Sequence, residues 1–426
     1  MKESIMLEEK YHEDKIFNMK IGILSKNYAA QRLFLDKLPE CQYKDVRFYN
    51  WRLWKNAYLW GLKAIGKLKM SPEEMVAKLF YDFKTIIPTG CDVFHFFNCI
   101  NLGKHSKWVI SVESGVPWPV SVTRCVESED ADLSSIAQDK YVERRIKALA
   151  NSNCLGLLAL SHCTENIQRE IIKQFPQYES IIAKKMITLL PPQKLVINDV
   201  KEKKVTWNEE EPLTFIYVGS DFYRKGGRET VLVLSELHKR YSFKLILISS
   251  MAVDEKRYMR TENDEKESKC LIEKNKDWIE YYDRLPNTEV LEKMKKAHVC
   301  LLPTWMDTFA YSVLEAQACG TPVISTSLRA LTEINNENVG WLIDVPVNRL
   351  NNPLHLTKEQ QDIFSEKLLN GLYDKVEYVL QHREEIKDKA MKCLVKIKDD
   401  HSPQKYEEKL RMVYQGRISE IKCLKF

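Results

Sequence analysis

The sequence predicts an α/β protein with two doubly wound domains, each a largely parallel sheet covered by helices on both faces. Its 426 residues exceed the roughly 250 to 300 at which a single hydrophobic core stops growing. Short apolar runs alternate with helical segments, a pattern typical of buried parallel strands, and the alternation occurs twice. Between the two series lies LPPQKLVINDVKEKKVTWNEEEP, residues 190–212. Its prolines and mixed charge indicate a domain boundary.

The first series of predicted strands begins with MKIGILS, residues 19–25, a compact apolar run that suits the first strand of a parallel sheet. The other predicted strands of this half are DVRFYN (45–50), CDVFHFF (91–97), KWVISVE (107–113) and LGLLALS (155–161). Residues 126–150 are dense in charge and carry interspersed apolar side chains. We predict one or two connecting helices there.

The second series repeats the alternation of strand and helix. Its predicted strands are LTFIYVG (213–219), FKLILIS (243–249), WIEYY (278–282), VCLLP (299–303) and PVIST (322–326). Predicted helices cover residues 229–240 and 288–297, and a further helix follows residue 307. The chain after Pro353 is polar and helical in pattern. This half is therefore predicted to be a second doubly wound domain.

Composition excludes several functional classes. Lys and Arg number 65 against 60 Asp and Glu, a net charge of +5 that does not call for nucleic acid or another polyanion. The 11 cysteines are scattered, without the spacing of a metal site, which argues against structural zinc and for a reducing compartment. The charged N-terminus lacks a signal-peptide core, and no run reaches the roughly 18 apolar residues that span a bilayer. We expect a cytoplasmic protein without a metal or cofactor.

The stretch VGSDFYRKGG, residues 218–227, places Arg224 and Lys225 between a strand and a predicted helix start. Ligands of open α/β sheets bind where loops leave the carboxyl ends of strands. Two cations beside a helix N-terminus suit a phosphate or diphosphate, and the two glycines permit close backbone approach. The alternative is a solvated Arg-Lys pair on a polar loop.

The stretch DTFAYSVLEAQACG, residues 307–320, places one acid, Asp307, before a predicted helix and a second, Glu315, two turns inside it. Eight positions at ~1.5 Å each separate the acids by about 12 Å, too far for the roughly 5 to 9.5 Å between the two carboxyls of a glycoside hydrolase. The spacing suits a long ligand lying along the helix start. Alternatively, Asp307 is only an N-cap and Glu315 an exposed helix residue.

Together these stretches resemble the nucleotide-sugar domain of family 4 glycosyltransferases, which have the GT-B fold. The resemblance rests on VGSDFYRKGG, on LLPTWMDTFAYSVLEAQACGTPVIST (301–326) and on VGWLID (339–344), and HSPQKYEEKLRMVY (401–414) is similar to the family's terminal helix. It implies an acceptor domain over 1–200, a nucleotide-sugar domain over 201–395, a cleft between them, and a C-terminal helix over 396–426 that returns to the first domain.

The resemblance also implies roles for individual residues. Arg224 and Lys225 would neutralise the diphosphate, Asp307 would hold sugar hydroxyls, and Glu315 would bind the ribose. Further donor contacts are expected from Gly219, Arg284, Leu285, Thr308, Phe309, Ala310 and Tyr311. The family's first acid is more usually Glu, so the shorter Asp307 leaves the choice of donor sugar open.

In the first domain, many members place a His near the reacting carbon, at the position where WVISVESGVPWP (108–119) offers Glu113. Glu113 is a candidate catalytic acid, or it caps the turn before Pro117. The resemblance further implies a metal-independent transfer with retention of configuration, from a nucleotide-diphosphate sugar to a glycan or lipid-linked acceptor. A catalytically silent binding protein, or an epimerase or phosphorylase on the same fold, remains an alternative.

A second unusual segment is YNWRLWKNAYLWGLKAIGKLKM, residues 49–70. Trp51, Trp54, Tyr58, Leu62 and Ile65 recur at helical spacing, with Arg52, Lys63 and Lys67 elsewhere on the helix. Such a helix either docks on anionic lipid near a lipid-linked acceptor or packs on the first domain's sheet. Peripheral contact with the inner face of a membrane is therefore one of two interpretations.

Overall fold

A computed structural model describes residues 18–24, 28–51, 58, 61–63, 66, 82–85, 87–207, 211–251 and 262–423. The chain forms two compact units. Unit 1 takes the chain to Val126, then Asp132–Pro192 and the C-terminal part from Pro403, whereas unit 2 takes Glu127–Ala131 and Gln193–Ser402. None of the helices in the described ranges is long and apolar enough to cross a membrane.

Unit 1 contains a six-stranded parallel sheet with the order β2-β1-β4-β6-β7-β8 and a separate parallel pair of β3 with β5. The strands are β1 (Lys20–Ile23), β2 (Gln42–Asp45), β3 (Asp82–Phe83), β4 (Val93–Phe97), β5 (Ile100–Asn101), β6 (Lys107–Val112), β7 (Cys154–Ala159) and β8 (Met186–Thr188). Their helices are α1 (Tyr28–Leu33), α2 (Val120–Glu127), α3 (Lys140–Ala150), α4 (His162–Lys173) and α5 (Pro176–Lys185).

Unit 2 contains a second six-stranded parallel sheet, with the order β11-β10-β9-β12-β13-β14. The strands are β9 (Leu213–Val218), β10 (Phe243–Ile248), β11 (Ile279–Tyr282), β12 (Val299–Leu302), β13 (Val323–Thr326) and β14 (Gly340–Ile343). Its helices are α6 (Gly227–Leu237), α7 (Glu262–Lys274), α8 (Asn287–Lys295), α9 (Tyr311–Ala318), α10 (Leu331–Ile334), α11 (Lys358–Gln381) and α12 (Glu384–Asp400). Two parallel sheets with helical crossovers confirm the predicted fold class.

The C-terminal helices α13 (Pro403–Tyr414) and α14 (Ile418–Cys423) belong to unit 1. Tyr414 on α13 shares a buried hydrogen bond of 2.8 Å with His95 Nδ1 on β4. Burial lowers the pKa of His95 to about 3, so the ring stays neutral and bonds as an uncharged group. Nearer the surface, Arg411 donates to Glu40 over 2.7 Å. The prediction that the terminal helix returns to the first domain is confirmed.

One predicted strand was misplaced. DVRFYN was predicted to be extended, but β2 ends at Asp45, and Arg47–Tyr49 form a 3₁₀ turn. The Asp45 carboxylate accepts from the Arg47 backbone N–H at 2.9 Å and from Arg47 Nε at 2.8 Å. A side chain that accepts from the backbone N–H two residues ahead favours a turn over continued pairing with a neighbouring strand. The strand therefore ends at Asp45.

A buried ion pair joins α3 to the small β3–β5 pair. Arg145 on α3 is 2% exposed and Asp82 on β3 is fully buried. Arg145 Nε donates to Asp82 Oδ1 at 2.9 Å, its second nitrogen bonds Oδ2, and a third donates to the Tyr141 carbonyl at 2.8 Å. Burial lowers the pKa of Arg145 to about 10, so the ion pair persists at neutral pH.

We expect Arg145→Ala to lower the free energy of unfolding of unit 1 by about 3–5 kcal/mol, because it leaves the Asp82 carboxylate buried without its partner. Urea unfolding followed by circular dichroism measures the change. Arg144→Ala, an exposed change one position earlier on the same helix, is the control and should cost less than about 0.5 kcal/mol. Equal stability of the two variants would contradict the assignment.

Candidate active site

The candidate site lies at the point where the strand order of unit 2 reverses. Strands β9 and β12 are neighbours in the sheet, pairing Val299 with Phe215 and Leu301 with Tyr217, although more than 80 residues separate them. From this pair the chain builds outward through β10 and β11 on one side and through β13 and β14 on the other. Such a switch point opens a crevice at the carboxyl ends of the two strands. The loops that follow β9 and β12 are those that carry the two predicted motifs.

Arg224, in the loop after β9, is held by groups from both loops. Its Nε donates to Asp221 Oδ2 at 2.6 Å, and its Nη1 donates to the Met306 carbonyl at 2.7 Å. Its own carbonyl accepts from the Trp305 N–H at 2.8 Å and from Thr304 Oγ1 at 3.0 Å. The guanidinium is partly exposed, at 26%. The two loops therefore form one hydrogen-bonded unit around Arg224.

Glycines allow these loops to approach each other. Gly226 has φ +77°, and a Cβ there would lie 1.9 Å from the Pro303 carbonyl oxygen. At Gly227 a Cβ would lie 2.2 Å from the Phe222 ring. Gly226 thus lets the β9 loop lie against the β12 loop, whereas Gly227 makes room for Phe222 within its own loop. At Gly219 a Cβ would meet Tyr217 Oη at 2.8 Å and the Lys225 side chain at 3.1 Å.

Lys225 and Asp307 form an ion pair between the two loops, with Nζ 3.0 Å from Oδ2 and both side chains mostly buried. Burial acts to raise the pKa of Asp307. The positive charges of Lys225 and Arg224, and the hydrogen bonds from Lys225 and from the Ala310 N–H, have the opposite effect. Together they outweigh burial and hold the pKa of Asp307 below its usual range. Asp307 is thus a carboxylate throughout the physiological pH range.

Helix α9 begins later than predicted. We expected it to start after Asp307 and to offer the N–H groups of residues 308–311, but its first residue is Tyr311. Asp307 Oδ1 accepts from the Phe309 N–H at 3.3 Å and from the Ala310 N–H at 2.9 Å, and Ala310 has φ +62°. Asp307 therefore closes a turn ahead of the helix. Ser312 Oγ, at the helix start, is buried without a hydrogen-bond partner in the described chain.

Glu315 on α9 is 7% exposed, so the alternative of an exposed helix residue is wrong. Asn287 Nδ2 lies 3.5 Å from Glu315 Oε1, and Asn287 is the first residue of α8. This contact brings the β11–α8 loop to the second acid. That loop also contains Arg284, which is exposed, and Leu285, which is half-buried.

Glu113 belongs to unit 1, immediately after β6 at the carboxyl edge of the first sheet. Its Oε1 accepts from Asn98 Nδ2 at 3.1 Å, and its N–H donates to Asn98 Oδ1 at 3.2 Å. The turn before Pro117 is held by Gln168, whose Oε1 accepts from the Val116 N–H at 2.7 Å and whose Nε2 donates to the Val116 carbonyl at 2.8 Å. Both roles considered for Glu113, catalysis and capping of this turn, stay predictions.

Three site residues were missed by sequence reasoning. Asp221 orients Arg224, the Met306 carbonyl accepts from the same guanidinium, and Asn287 contacts Glu315. Asp221 lies within the quoted motif, three residues before Arg224, and an i, i+3 acid-base spacing was the available signal. The other two depend on loops that meet only in the folded sheet.

Of the aromatic segment 49–70, the structure describes only Tyr49, Asn50, Trp51, Tyr58, Gly61, Leu62, Lys63 and Gly66. Trp54, Ile65, Arg52 and Lys67 lie outside the described residues. Trp51 is 44% exposed and Tyr58 is 67% exposed, whereas Leu62 is half-buried. Trp51 and Tyr58 thus do not pack into the core of unit 1.

Residues 199–366 match the family model of glycosyl transferases group 1. The fold is shared with a glycosyltransferase from Rickettsia africae ESF-5, at TM-score 0.57 and 12% identity, over 95% of this chain and 99% of that one. It is shared with Anabaena Alr3699/HepE solved with UDP, at TM-score 0.54 and 10% identity, over 93% and 99% of the two chains. WaaG, a glycosyltransferase involved in lipopolysaccharide biosynthesis, matches at TM-score 0.52 and 14% identity, over 92% and 99%. No curated protein sequence matches this chain.

The fold is that of the GT-B glycosyltransferases, and the match to the group 1 family model covers residues 199–366, which include the switch-point site. The resemblance to group 1 glycosyltransferases of the GT-B fold that was inferred from the sequence is confirmed. Within the described ranges, no group of three or more His, Cys, Asp or Glu side chains is arranged to hold a metal ion.

We expect Gly226→Ala to destabilise unit 2 by more than about 2 kcal/mol, because it adds a steric overlap with Pro303 to the cost of a left-handed backbone. Gly90→Ala is the control, since Gly90 has φ +70° but open space around a Cβ, and it should cost about 1 kcal/mol. Thermal unfolding by calorimetry compares them. Equal losses would show that the contact between the loops does not require glycine.

Proposed function

We propose that the protein transfers a sugar from a nucleoside-diphosphate sugar to an acceptor hydroxyl with retention of anomeric configuration. The observation that carries the proposal is the convergence of Arg224, Lys225 and Asp307 at the β9–β12 switch point, beside the start of α9. Two cations of fixed position at such a crevice suit a diphosphate, and an acid beside them suits sugar hydroxyls.

When the diphosphate binds, Lys225 exchanges its carboxylate partner for a phosphate oxygen. In the structure, Arg224 is paired with Asp221 and Lys225 with Asp307, so each cation has a carboxylate neighbour. A diphosphate competes for Lys225 and for the outer face of the Arg224 guanidinium, while Asp221 and the Met306 carbonyl keep that guanidinium oriented. Release of Lys225 leaves Asp307 Oδ2 available to accept from a sugar hydroxyl.

The nucleoside lies toward Glu315. Its carboxylate accepts from the ribose hydroxyls, which replace or supplement the long contact from Asn287. The β11–α8 loop, with Arg284 and Leu285, borders the base. The start of α9, where Tyr311 and Ser312 lie, contributes its N–H groups and the positive end of its dipole to the phosphate nearest the sugar.

The reaction replaces one bond at the anomeric carbon on a single face. The bond from that carbon to the diphosphate oxygen breaks, the acceptor oxygen bonds to the same face, and the acceptor proton passes to a phosphate oxygen. Negative charge grows on the leaving diphosphate, and Arg224 and Lys225 stabilise it without requiring a metal ion. By resemblance, Glu113 stands where the family has its first-domain His, and we propose a catalytic role for it.

We expect Lys225→Met to lower kcat by about 10²–10³, because the variant keeps the apolar stem and loses the charge that balances the leaving diphosphate. Donors are first screened by thermal shift with UDP, GDP, ADP and CMP derivatives, since a ligand of the native state raises the melting temperature. UDP leads the series because a structure of this fold was solved with it. Transfer or hydrolysis of the selected donor is then followed by NMR, which also reports the configuration of the product.

Lys239→Met is the matched control, since Lys239 is an exposed cation just past the other end of α6, and it should keep full activity. Undiminished turnover in Lys225→Met would refute the assigned role. Binding of donor without transfer or hydrolysis would favour a silent binding protein, and an epimerised or phosphorolysed donor would indicate another enzyme of this fold. Activity that EDTA abolishes would contradict metal independence.

For the acceptor we propose a glycan or lipid-linked glycan, with unit 1 in peripheral contact with an anionic membrane. The exposure of Trp51 and Tyr58 supports this over packing of both aromatics on the sheet. The protein would then act in the cytoplasm, on the inner face of that membrane.

We expect the protein to co-sediment with phosphatidylglycerol vesicles at low salt and not with phosphatidylcholine vesicles. Trp51→Ser with Tyr58→Ser should weaken sedimentation by about thirtyfold or more, because each aromatic contributes about 1 kcal/mol or more of interfacial burial. Tyr281→Ser, which changes an exposed tyrosine on unit 2, is the control. No sedimentation at low salt would remove the membrane from the proposal.

A further inference from the structure

A second cavity lies in unit 1, away from the proposed transfer site. It measures about 580 Å³ and is bordered by β5, by the loop that precedes β6 and by the last turns of α3. Volumes of roughly 300 to 1,000 Å³ are typical of sites for small molecules. Nothing in the proposed glycosyl transfer uses this cavity.

The cavity lies at the amino edge of the first sheet. Residues 102–105, 151 and 153 border it and lie just before β6 and β7, whereas Glu113 follows β6 at the carboxyl edge. Because all six strands are parallel, these are opposite edges of one sheet. A ligand here is therefore separated from Glu113 by the length of a strand.

The lining is basic. Cations from three separate segments border the cavity: Lys84 after β3, Lys104 in the loop before β6, and Arg144 and Lys147 on α3. The imidazole of His105 joins them, and none of the described residues that line the cavity is acidic. Cations that converge from several directions suit an anion whose oxygens also point in several directions.

An unsatisfied donor also lines the cavity. Asn101 on β5 is 1% exposed. Its Oδ1 accepts from the Gly103 N–H at 2.8 Å, but its Nδ2 has no hydrogen-bond partner among the described residues. A buried donor without a partner costs about 1–3 kcal/mol, so its presence indicates a ligand that accepts from it.

The walls are held in place. Asn153 Nδ2 donates to the Gly103 carbonyl at 2.9 Å and to the Ser106 carbonyl at 3.1 Å, which fixes both ends of the basic loop. On the other side, the buried Arg145–Asp82 pair locks α3 to β3. The segments that carry Arg144, Lys147 and Lys84 are thereby fixed with respect to each other. A cavity of fixed shape avoids the ordering cost of binding.

We propose that this cavity is a second binding site, specific for a phosphate-bearing ligand. A phosphate monoester offers three terminal oxygens and a charge of about −1.5 to −2, which match cations from three segments and the Asn101 donor better than a planar carboxylate does. The volume leaves space for a sugar-sized group beside the phosphate. The same phosphate monoester is present in a soluble sugar phosphate and in the headgroup of phosphatidic acid.

The test is titration calorimetry of the full chain with glucose 6-phosphate and inorganic phosphate, with glucose as the uncharged probe. We expect the phosphates to bind and glucose not to bind. Lys147→Glu should weaken binding by about tenfold or more, because it removes one charged contact and opposes the phosphate with another charge. Asn101→Asp, which keeps the acceptor for Gly103 and replaces the donor, should weaken it similarly.

Two control variants make the outcome specific. Lys140→Glu changes the same charge on the same helix, on the order of 10 Å from Lys147, and should alter affinity by less than about threefold. Lys225→Met disables the proposed donor site and should leave this binding unchanged, so failure of the donor proposal and of this one are distinguishable. Both lysines of α3 are exposed, and circular dichroism verifies folding.

Sedimentation with phosphatidic acid and phosphatidylcholine vesicles separates the two sources of phosphate. If the protein sediments with the vesicles, and Lys147→Glu abolishes this while Lys140→Glu does not, the ligand is a lipid headgroup. If binding is seen by calorimetry but the protein does not sediment, the ligand is a soluble phosphate. The proposal is overturned if no phosphate probe binds, if the two α3 variants lose binding equally, or if Lys225→Met abolishes it.

Discussion

The candidate site depends on the close approach of two backbones, at Gly226 and at Pro303. A Cβ at position 226 would lie 1.9 Å from the Pro303 carbonyl oxygen, so any other residue would separate the β9 loop from the β12 loop. Once they are together, the Arg224 carbonyl receives the Trp305 N–H, and the Arg224 guanidinium reaches the Met306 carbonyl. Lys225 then meets Asp307. The positions of all three charged groups therefore follow from one steric condition.

These charges are balanced within the protein itself. Arg224 is paired with Asp221, and Lys225 with Asp307, so two cations are held in a partly buried crevice without a large uncompensated charge. Burying an unpaired charge is costly, which explains why the carboxylates are present. Under the proposed function, a diphosphate must therefore compete for Lys225. Asp307 is suited to that exchange because its low pKa keeps it ionised, and its other oxygen stays bonded to the turn at Ala310.

Unit 1 divides its chemistry between the two edges of one parallel sheet. The carboxyl edge carries Glu113, which Asn98 holds by two hydrogen bonds. The amino edge carries the basic cavity, whose walls are fixed by Asn153 and by the buried Arg145–Asp82 pair. Neither the ion pair nor the cavity belongs to a recognisable motif, because each joins segments far apart in the chain.

The sequence by itself determined the class of fold, four of the eight strands in unit 1 and five of the six in unit 2, and the three charged residues that the site brings together. It could do so because apolar runs and glycine-flanked basic pairs are local patterns, whose physical causes act within a few residues. Tertiary structure alone decided that β9 and β12 are neighbours, that α9 begins at Tyr311 after a turn closed by Asp307, and that Asn287 meets Glu315. It also decided that the backbone at Gly226 lies against the Pro303 carbonyl. These features arise from pairing and packing between segments distant in sequence, which no local pattern specifies.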